Sequence, residues 1–164
     1  MNLKTIGATA AAVLVTAVAG GAASGPAVAS PWYARLRKPN YQPPGQAFPI
    51  VWPLLYADIA VVSAGTLDRL IDDEDTRTAR RFGAALAINL GLNASWSWIF
   101  FNRHRLGSAA LTAAALTVSS ADLTRRALAV REQRAAPLLA YPAWCAFATV
   151  LSTHIWWLNR RGRV

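Results

Sequence analysis

Acidic residues are scarce in this chain of 164 residues. Eight Asp and Glu stand against 17 Lys and Arg, for a formal net charge of +9 at pH 7. Cysteine is scarcer still, and the single Cys145 excludes an intramolecular disulfide. Also missing are a G-x-S-x-G elbow, a phosphate-binding loop and any Cys-His grouping with usable spacing, which disfavours ordinary hydrolytic and phosphoryl-transfer enzymes. Most telling is the absence of charge of either sign from Thr5 to Ala34, from Phe82 to Asn102 and from Ala135 to Asn159. Each window holds the roughly 20 apolar residues that cross a bilayer as a helix. Two further windows, Pro39 to Leu67 and Leu106 to Thr124, are each broken by one acid, Asp58 and Asp122.

Five hydrophobic segments follow, at about 6–23, 47–67, 82–101, 106–123 and 135–158. They lack the alternating polar pattern of barrel strands, and in hydrocarbon every backbone polar group needs an internal partner. The expected fold is all-α and integral to the membrane, a five-transmembrane-helix bundle forming one domain over residues 1–164. The first segment has a competing reading, because Lys4, an apolar run and the small residues Ala27-Val28-Ala29 also resemble a secretory signal. Its apolar run is longer than the usual signal core of about 7–15 residues, which favours a retained helix.

In a soluble domain a charge of +9 would raise nucleic acid as a partner. Here the cations flank the apolar windows, at Arg35, Arg37, Lys38, Arg80, Arg81, Arg103, Arg105, Arg125, Arg126, Arg160, Arg161 and Arg163, where they reach headgroups. The expected partner is therefore the lipid bilayer and not nucleic acid. Orientation stays open, since the two sides of a five-span chain carry nine and eight Lys/Arg.

The third segment sorts onto two faces. Gly83, Ala87, Gly91 and Ser95 recur every four residues, a small-residue ladder that lets membrane helices approach closely. Asn89, Asn93, Trp96 and Phe100 lie on the roughly opposite face at 3.6 residues per turn. That face suits a cavity, and Asn side chains serve equally as interhelical hydrogen-bond glue. Asp122 is expected to pair with Arg125 and Arg126 at helical spacing. Asp58 either lines a pocket or bonds Ser63, Thr66 or a neighbouring helix. His154 is expected to hydrogen-bond a neighbour, and neither it nor His104 is assigned a metal.

Seven Trp exceed what an interfacial belt requires, and Trp96 and Trp144 sit away from the helix ends. The stretch WYARLRKPNYQPP from Trp32 to Pro44, then Phe48, Val51, Trp52, Leu55 and Tyr56, then Asn93, Trp96, Phe100 and Phe101, then Trp144, Phe147 and Ala148, follow one another in a recognisable order. Together they resemble the translocator protein or tryptophan-rich sensory protein family (TspO/MBR), over Trp32 to Asn159.

The resemblance implies a five-helix bundle, often a homodimer, with a pocket lidded by the loop between helices one and two, in a multi-pass protein of the cell membrane in a prokaryote. It implies no obligatory cofactor, but tetrapyrrole ligands such as protoporphyrin IX or haem. The function implied is tetrapyrrole binding, in porphyrin handling or oxidative-stress response. Light-dependent porphyrin degradation and transport of tetrapyrroles or other lipophilic ligands are the alternatives. By position, Trp32 and Tyr33 belong to the lid, and Trp52, Tyr56, Asn93, Trp96, Phe100, Trp144, Phe147 and Ala148 line the pocket. Arg35, Arg37 and Lys38 are implied to pair with propionates, and Trp96 and Trp144 to act in any photo-oxidative reaction. Gly83, Ala87 and Gly91 fall on the implied dimer seam. Three departures stand out. Tyr41 replaces a usual Trp, Pro142 follows Ala140-Tyr141 where a Pro-Tyr pair is usual, and Thr153 and Trp157 replace the Tyr and Arg of the animal sterol pattern.

Overall fold

The computed structural model describes residues 2–161, apart from the side chain of Glu132. It contains six α-helices: α1 (Leu3–Val28), α2 (Pro31–Arg35), α3 (Phe48–Asp72), α4 (Thr76–Ser97), α5 (Leu106–Ala135) and α6 (Ala140–Asn159). All but α2 belong to segments long and apolar enough to cross a membrane. The five apolar windows thus become five long helices, and the described residues contain no strand.

Helix starts follow local chemistry. Asn2 caps α1 by accepting from the Lys4 backbone N–H at 2.9 Å. Asp75 caps α4, accepting from the Thr78 N–H at 3.0 Å. The Thr78 side chain and this N–H hold the Asp75 carboxyl below its usual range. Asp73, Glu74 and Asp75 of the α3–α4 connection are all exposed, so this acidic stretch is a solvated turn that ends in a helix start.

The helices outrun the apolar windows, because hydropathy marks where a helix leaves hydrocarbon and not where its backbone hydrogen bonds end. The clearest case is α5, which continues past Leu123 through Asp122–Arg125 and Asp122–Arg126 pairs at 2.7 and 2.6 Å. Arg131 (φ −146°, ψ 63°) then breaks it, and a 3-10 turn at Ala136–Leu139 leads into α6. Pro142 lies in the first turn of α6, where its missing N–H costs little. At the far end of α4, Trp98–Asn102 winds as a π-helical turn.

The chain passes back and forth, so one end of the bundle gathers the α1–α3 loop, the π turn, His104 and the end of α6. The opposite end carries Asn2, the acidic turn and the break at Arg131. α1 packs on α3 and α4, α4 on α5, and α5 most extensively on α6, while the α3 and α6 backbones hardly approach one another. Gly20 lets α1 approach the end of α4, where an added Cβ would lie 3.2 Å from Ser97 Oγ. Ile59, Ala64, Phe82, Leu123, Leu138 and Tyr141 are fully buried, whereas Leu14, Val15, Val18, Ile88, Leu111, Val118 and Val150 point outward. Apolar side chains on both the inside and the outside are what a hydrocarbon solvent permits.

Candidate functional site in the aromatic cluster beneath the loop

The α1–α3 loop is a structured element. Ser30 Oγ accepts from the Tyr33 N–H at 3.2 Å and Pro31 opens α2, a Ser-Pro start that fixes where Trp32 and Tyr33 project. Trp32 stacks on His104 with centroids 3.8 Å apart and planes at 17°, and meets Phe100 edge-on at 6.0 Å. Tyr33 lies 5.9 Å from Phe101, with the Lys38 ammonium 3.9 Å from its ring centroid. Burial raises the Tyr33 phenol above its ordinary value, against a lowering by its Gln42 hydrogen bond, and burial lowers the Lys38 ammonium.

Two contacts tie the loop to α6. Asn159 accepts the Arg37 N–H at 3.1 Å and donates to the Arg37 carbonyl at 2.9 Å. The Tyr41 hydroxyl hydrogen-bonds His154 Nδ1 at 3.0 Å, and the Tyr41 ring meets Phe147 edge-on at 6.3 Å. His154 thus has the neighbouring partner expected of it.

Beneath the loop the rings run from helix to helix. Trp96 stacks on Phe100 at 5.4 Å on one side, with Phe101 edge-on to both. On the other side Phe48 meets Trp144 edge-on at 6.0 Å, and Trp144 lies 5.6 Å from Phe147. Trp52 and Tyr56 are 5.4 Å apart on α3. Trp52, Tyr56 and Trp144 pack against the main core, while Trp32, Tyr33, Phe48, Trp96 and Phe147 pack around Leu36, Phe100, Leu151 and Ile155. The π turn makes this possible by carrying Phe100 and Phe101 on a wider turn than an α-helix allows.

A buried polar chain underlies the rings. Tyr56 OH donates to Asn93 Oδ1 at 2.8 Å, Asn93 Nδ2 to Tyr141 OH at 3.2 Å, Tyr141 OH to Asn89 Oδ1 at 2.8 Å, and Asn89 Nδ2 to Ser119 Oγ at 3.2 Å. Both amides of α4 therefore join α3, α5 and α6. Trp96 Nε1 and Gln42 Oε1 are buried and meet no hydrogen-bond partner among the described residues.

The family model described as TspO/MBR family matches residues 8–158. The chain belongs to the TspO/MBR family. It is 33% identical to an uncharacterized membrane protein, YtaB, of Bacillus subtilis, over 91% of this chain and 94% of that one. It is 29% identical to the protein CrtK of Rhodobacter capsulatus, over 90% and 91% of the two chains. It is also 30% identical to the human translocator protein, over 76% and 73%. With five helices able to span a bilayer, this TspO/MBR member is a multi-pass integral membrane protein.

Within this family member the expected site residues are placed unevenly. Trp32, Tyr33, Trp52, Tyr56, Asn93, Trp96, Phe100, Trp144 and Phe147 fall within the ring cluster or its polar floor. Ala148 is half-buried next to Phe147 in sequence. Lys38 is half-buried against Tyr33, whereas Arg35 and Arg37 are exposed. Gly83, Ala87 and Gly91 lie on the outer side of α4, with Ala87 and Gly91 exposed and open space beyond both glycines. Asp58 forms no side-chain hydrogen bond among the described residues, and Thr66 bonds its own helix at Val62 O. Sequence reasoning did not find His104, Gln42, Asn159 or the Asn89–Tyr141 bond. A histidine between two arginines and an asparagine ahead of two more carry no local signal of what they touch.

Proposed function

We propose that this protein binds a tetrapyrrole such as protoporphyrin IX or haem within the aromatic cluster, with the α1–α3 loop as its lid. The observation that carries this reading is the gathering of two ring groups beneath one loop, Trp32 and Tyr33 with Trp96, Phe100 and Phe101 on the α4 side, and Tyr41 and Phe48 with Trp144 and Phe147 on the α6 side. A porphyrin is a rigid apolar plane, and indole, phenol and phenyl faces are what it stacks on. Its propionates find cations at one place, with Lys38 against the ring wall and Arg35 and Arg37 at the exposed rim. Trp96 Nε1 and Gln42 Oε1 offer a buried donor and a buried acceptor to the ligand's polar atoms. Because the loop's own rings touch Phe100, Phe101 and Phe147, the ligand enters by lifting the loop and taking over those contacts.

The test is a titration of the purified protein with protoporphyrin IX, followed by tryptophan fluorescence. Saturable quenching is expected for wild type. Trp96→Leu combined with Trp144→Leu should weaken the apparent Kd about tenfold, roughly 1.4 kcal/mol. Superimposable curves for the two proteins would remove the site from these rings.

A further inference from the structure

At the end of the bundle opposite the aromatic cluster, a cavity of about 350 Å3 opens between the last turns of α3 and the break in α5. Its wall is apolar on one side and charged on the others. Val61 and Val62 line its apolar side, and Val61 is 51% exposed on the surface of α3. Arg131 and Arg134 line the α5 side, and Asp68 and Asp72 the α3 side. A second, more open depression of about 420 Å3 shares Arg69, Arg131 and Arg134, so the cationic wall continues outward.

Arg131 is held in place. Its Nη1 donates to the Gly65 carbonyl at 2.8 Å, and an added Cβ at Gly65 would fall on the guanidinium. One contact uses a fraction of the five N–H donors of that fork. The non-helical backbone at Arg131 (φ −146°, ψ 63°) turns this side chain onto α3. Asp68 already accepts the Asn2 N–H at 2.7 Å, which leaves Asp72 as the exposed carboxylate of the rim. The level is that of the headgroups, since the apolar windows of α3 and α5 close at Leu67 and Thr124, ahead of Asp72 and Arg131.

We propose that this cavity is a binding site for the headgroup of an amine-bearing phospholipid. The lipid phosphate lies between Arg131 and Arg134, the ammonium faces Asp72, and an acyl chain descends along Val61. Basic clefts between membrane helices at the headgroup level recognise lipid phosphates. The carboxylate rim selects a zwitterionic phosphoethanolamine over a purely anionic headgroup. A free phosphate would satisfy the arginines alone, and neither the apolar wall nor Asp72 would add to it.

Native mass spectrometry of the full-length protein in detergent, with added dihexanoylphosphatidylethanolamine, dihexanoylphosphatidylglycerol or inorganic phosphate, tests this. One retained phosphatidylethanolamine is expected, several-fold more abundant than phosphatidylglycerol and not displaced by equimolar phosphate. Arg134→Ala should lower retention of the ethanolamine lipid at least fivefold, while Arg160→Ala at the other end of the bundle leaves it unchanged. Asp72→Asn should bring the ethanolamine lipid down to the glycerol lipid's level. Equal retention by wild type and Arg134→Ala overturns the site, and displacement by phosphate overturns the lipid. Equal retention of the two lipids by wild type overturns the role of Asp72.

Discussion

Asn159, in the last turn of α6, closes a two-bond amide ring with the backbone of Arg37, which lies 122 residues earlier in the loop that covers the aromatic cluster. The amide also donates to Ile155 O at 2.7 Å, so its orientation is set by its own helix before it meets the loop. A side chain fixed in this way positions the loop backbone and not merely its side chains. Asn159→Ala should therefore release residues 36–42. Each bond contributes about 0.5–1.5 kcal/mol, so the loop should open about 10- to 100-fold more often. Hydrogen exchange of the loop amides reads this directly. Unchanged protection in the variant would mean that the ring contacts alone hold the loop.

Tyr141 is the hub of the buried polar chain, accepting from Asn93 and donating to Asn89. Interhelical hydrogen bonds in membranes average only about 0.6 kcal/mol, because the alternative states also find partners. Removing a hub leaves two buried amide groups short of a partner at once. Tyr141→Phe should thus destabilise the protein by about 1–3 kcal/mol, and adding Asn89→Ala should cost less than the sum of the two. Thermal denaturation of the single and double variants in one detergent checks the non-additivity.

The spans and the two faces of α4 were legible because each has a local cause. A bilayer forbids charge over about 20 residues, and a helix repeats every 3.6, so the charge gaps and the split between Gly83, Ala87, Gly91 and Asn89, Asn93 appear in one dimension. The π turn at Trp98–Asn102 and the break at Arg131 were not legible. Neither contains proline or glycine, and both answer to tertiary contacts, the Trp98 indole donating to Ala19 O at 3.0 Å and Arg131 to Gly65 O. The same holds for His104. It adopts a positive φ of 54° and supports Trp32, a role set wholly by where the loop folds back.

Lys38 gives the proposed site a pH signature. Burial disfavours its charged form, so the ammonium loses its proton below the usual lysine value of 10.5 as pH rises. Tyr33 moves the other way, burial holding the proton on its phenol to higher pH than usual. Affinity for protoporphyrin IX, whose propionates stay ionised, should fall as pH rises through the depressed Lys38 value. The dimethyl ester, lacking those charges, should bind evenly, and Lys38→Met should flatten the diacid's profile. Parallel profiles for diacid and ester would assign the propionates to other groups.

Gly65 and Arg131 test the geometry at the other end independently of any ligand. A methyl group at Gly65 would collide with the guanidinium that bonds its carbonyl. Gly65→Ala should destabilise the protein by about 1–3 kcal/mol, the usual result of overpacking, although alanine is the better helix former by about 1 kcal/mol. In the Arg131→Ala background the collision is gone, and the same substitution should become neutral or stabilising. A reversal of sign between the two backgrounds is the measurement that counts.

The outer face of α4 is where we propose a second copy of the chain. Ala87 and Gly91 are exposed there, and nothing lies within 4 Å of a Cβ built on Gly83 or Gly91, so the bundle itself does not use this stripe. A smooth stripe on a membrane helix allows the backbones of two copies to approach within van der Waals contact. Gly91→Leu fills it without touching the buried side of the helix, where Leu90 and Asn93 sit. The variant should keep the melting temperature and porphyrin titration of wild type while shifting the mass in detergent, measured by light scattering, from dimer to monomer. Because the rings of the proposed site all belong to one chain, loss of the dimer without loss of porphyrin binding would separate assembly from recognition. If the variant remained a dimer, the contact between copies would lie on another helix.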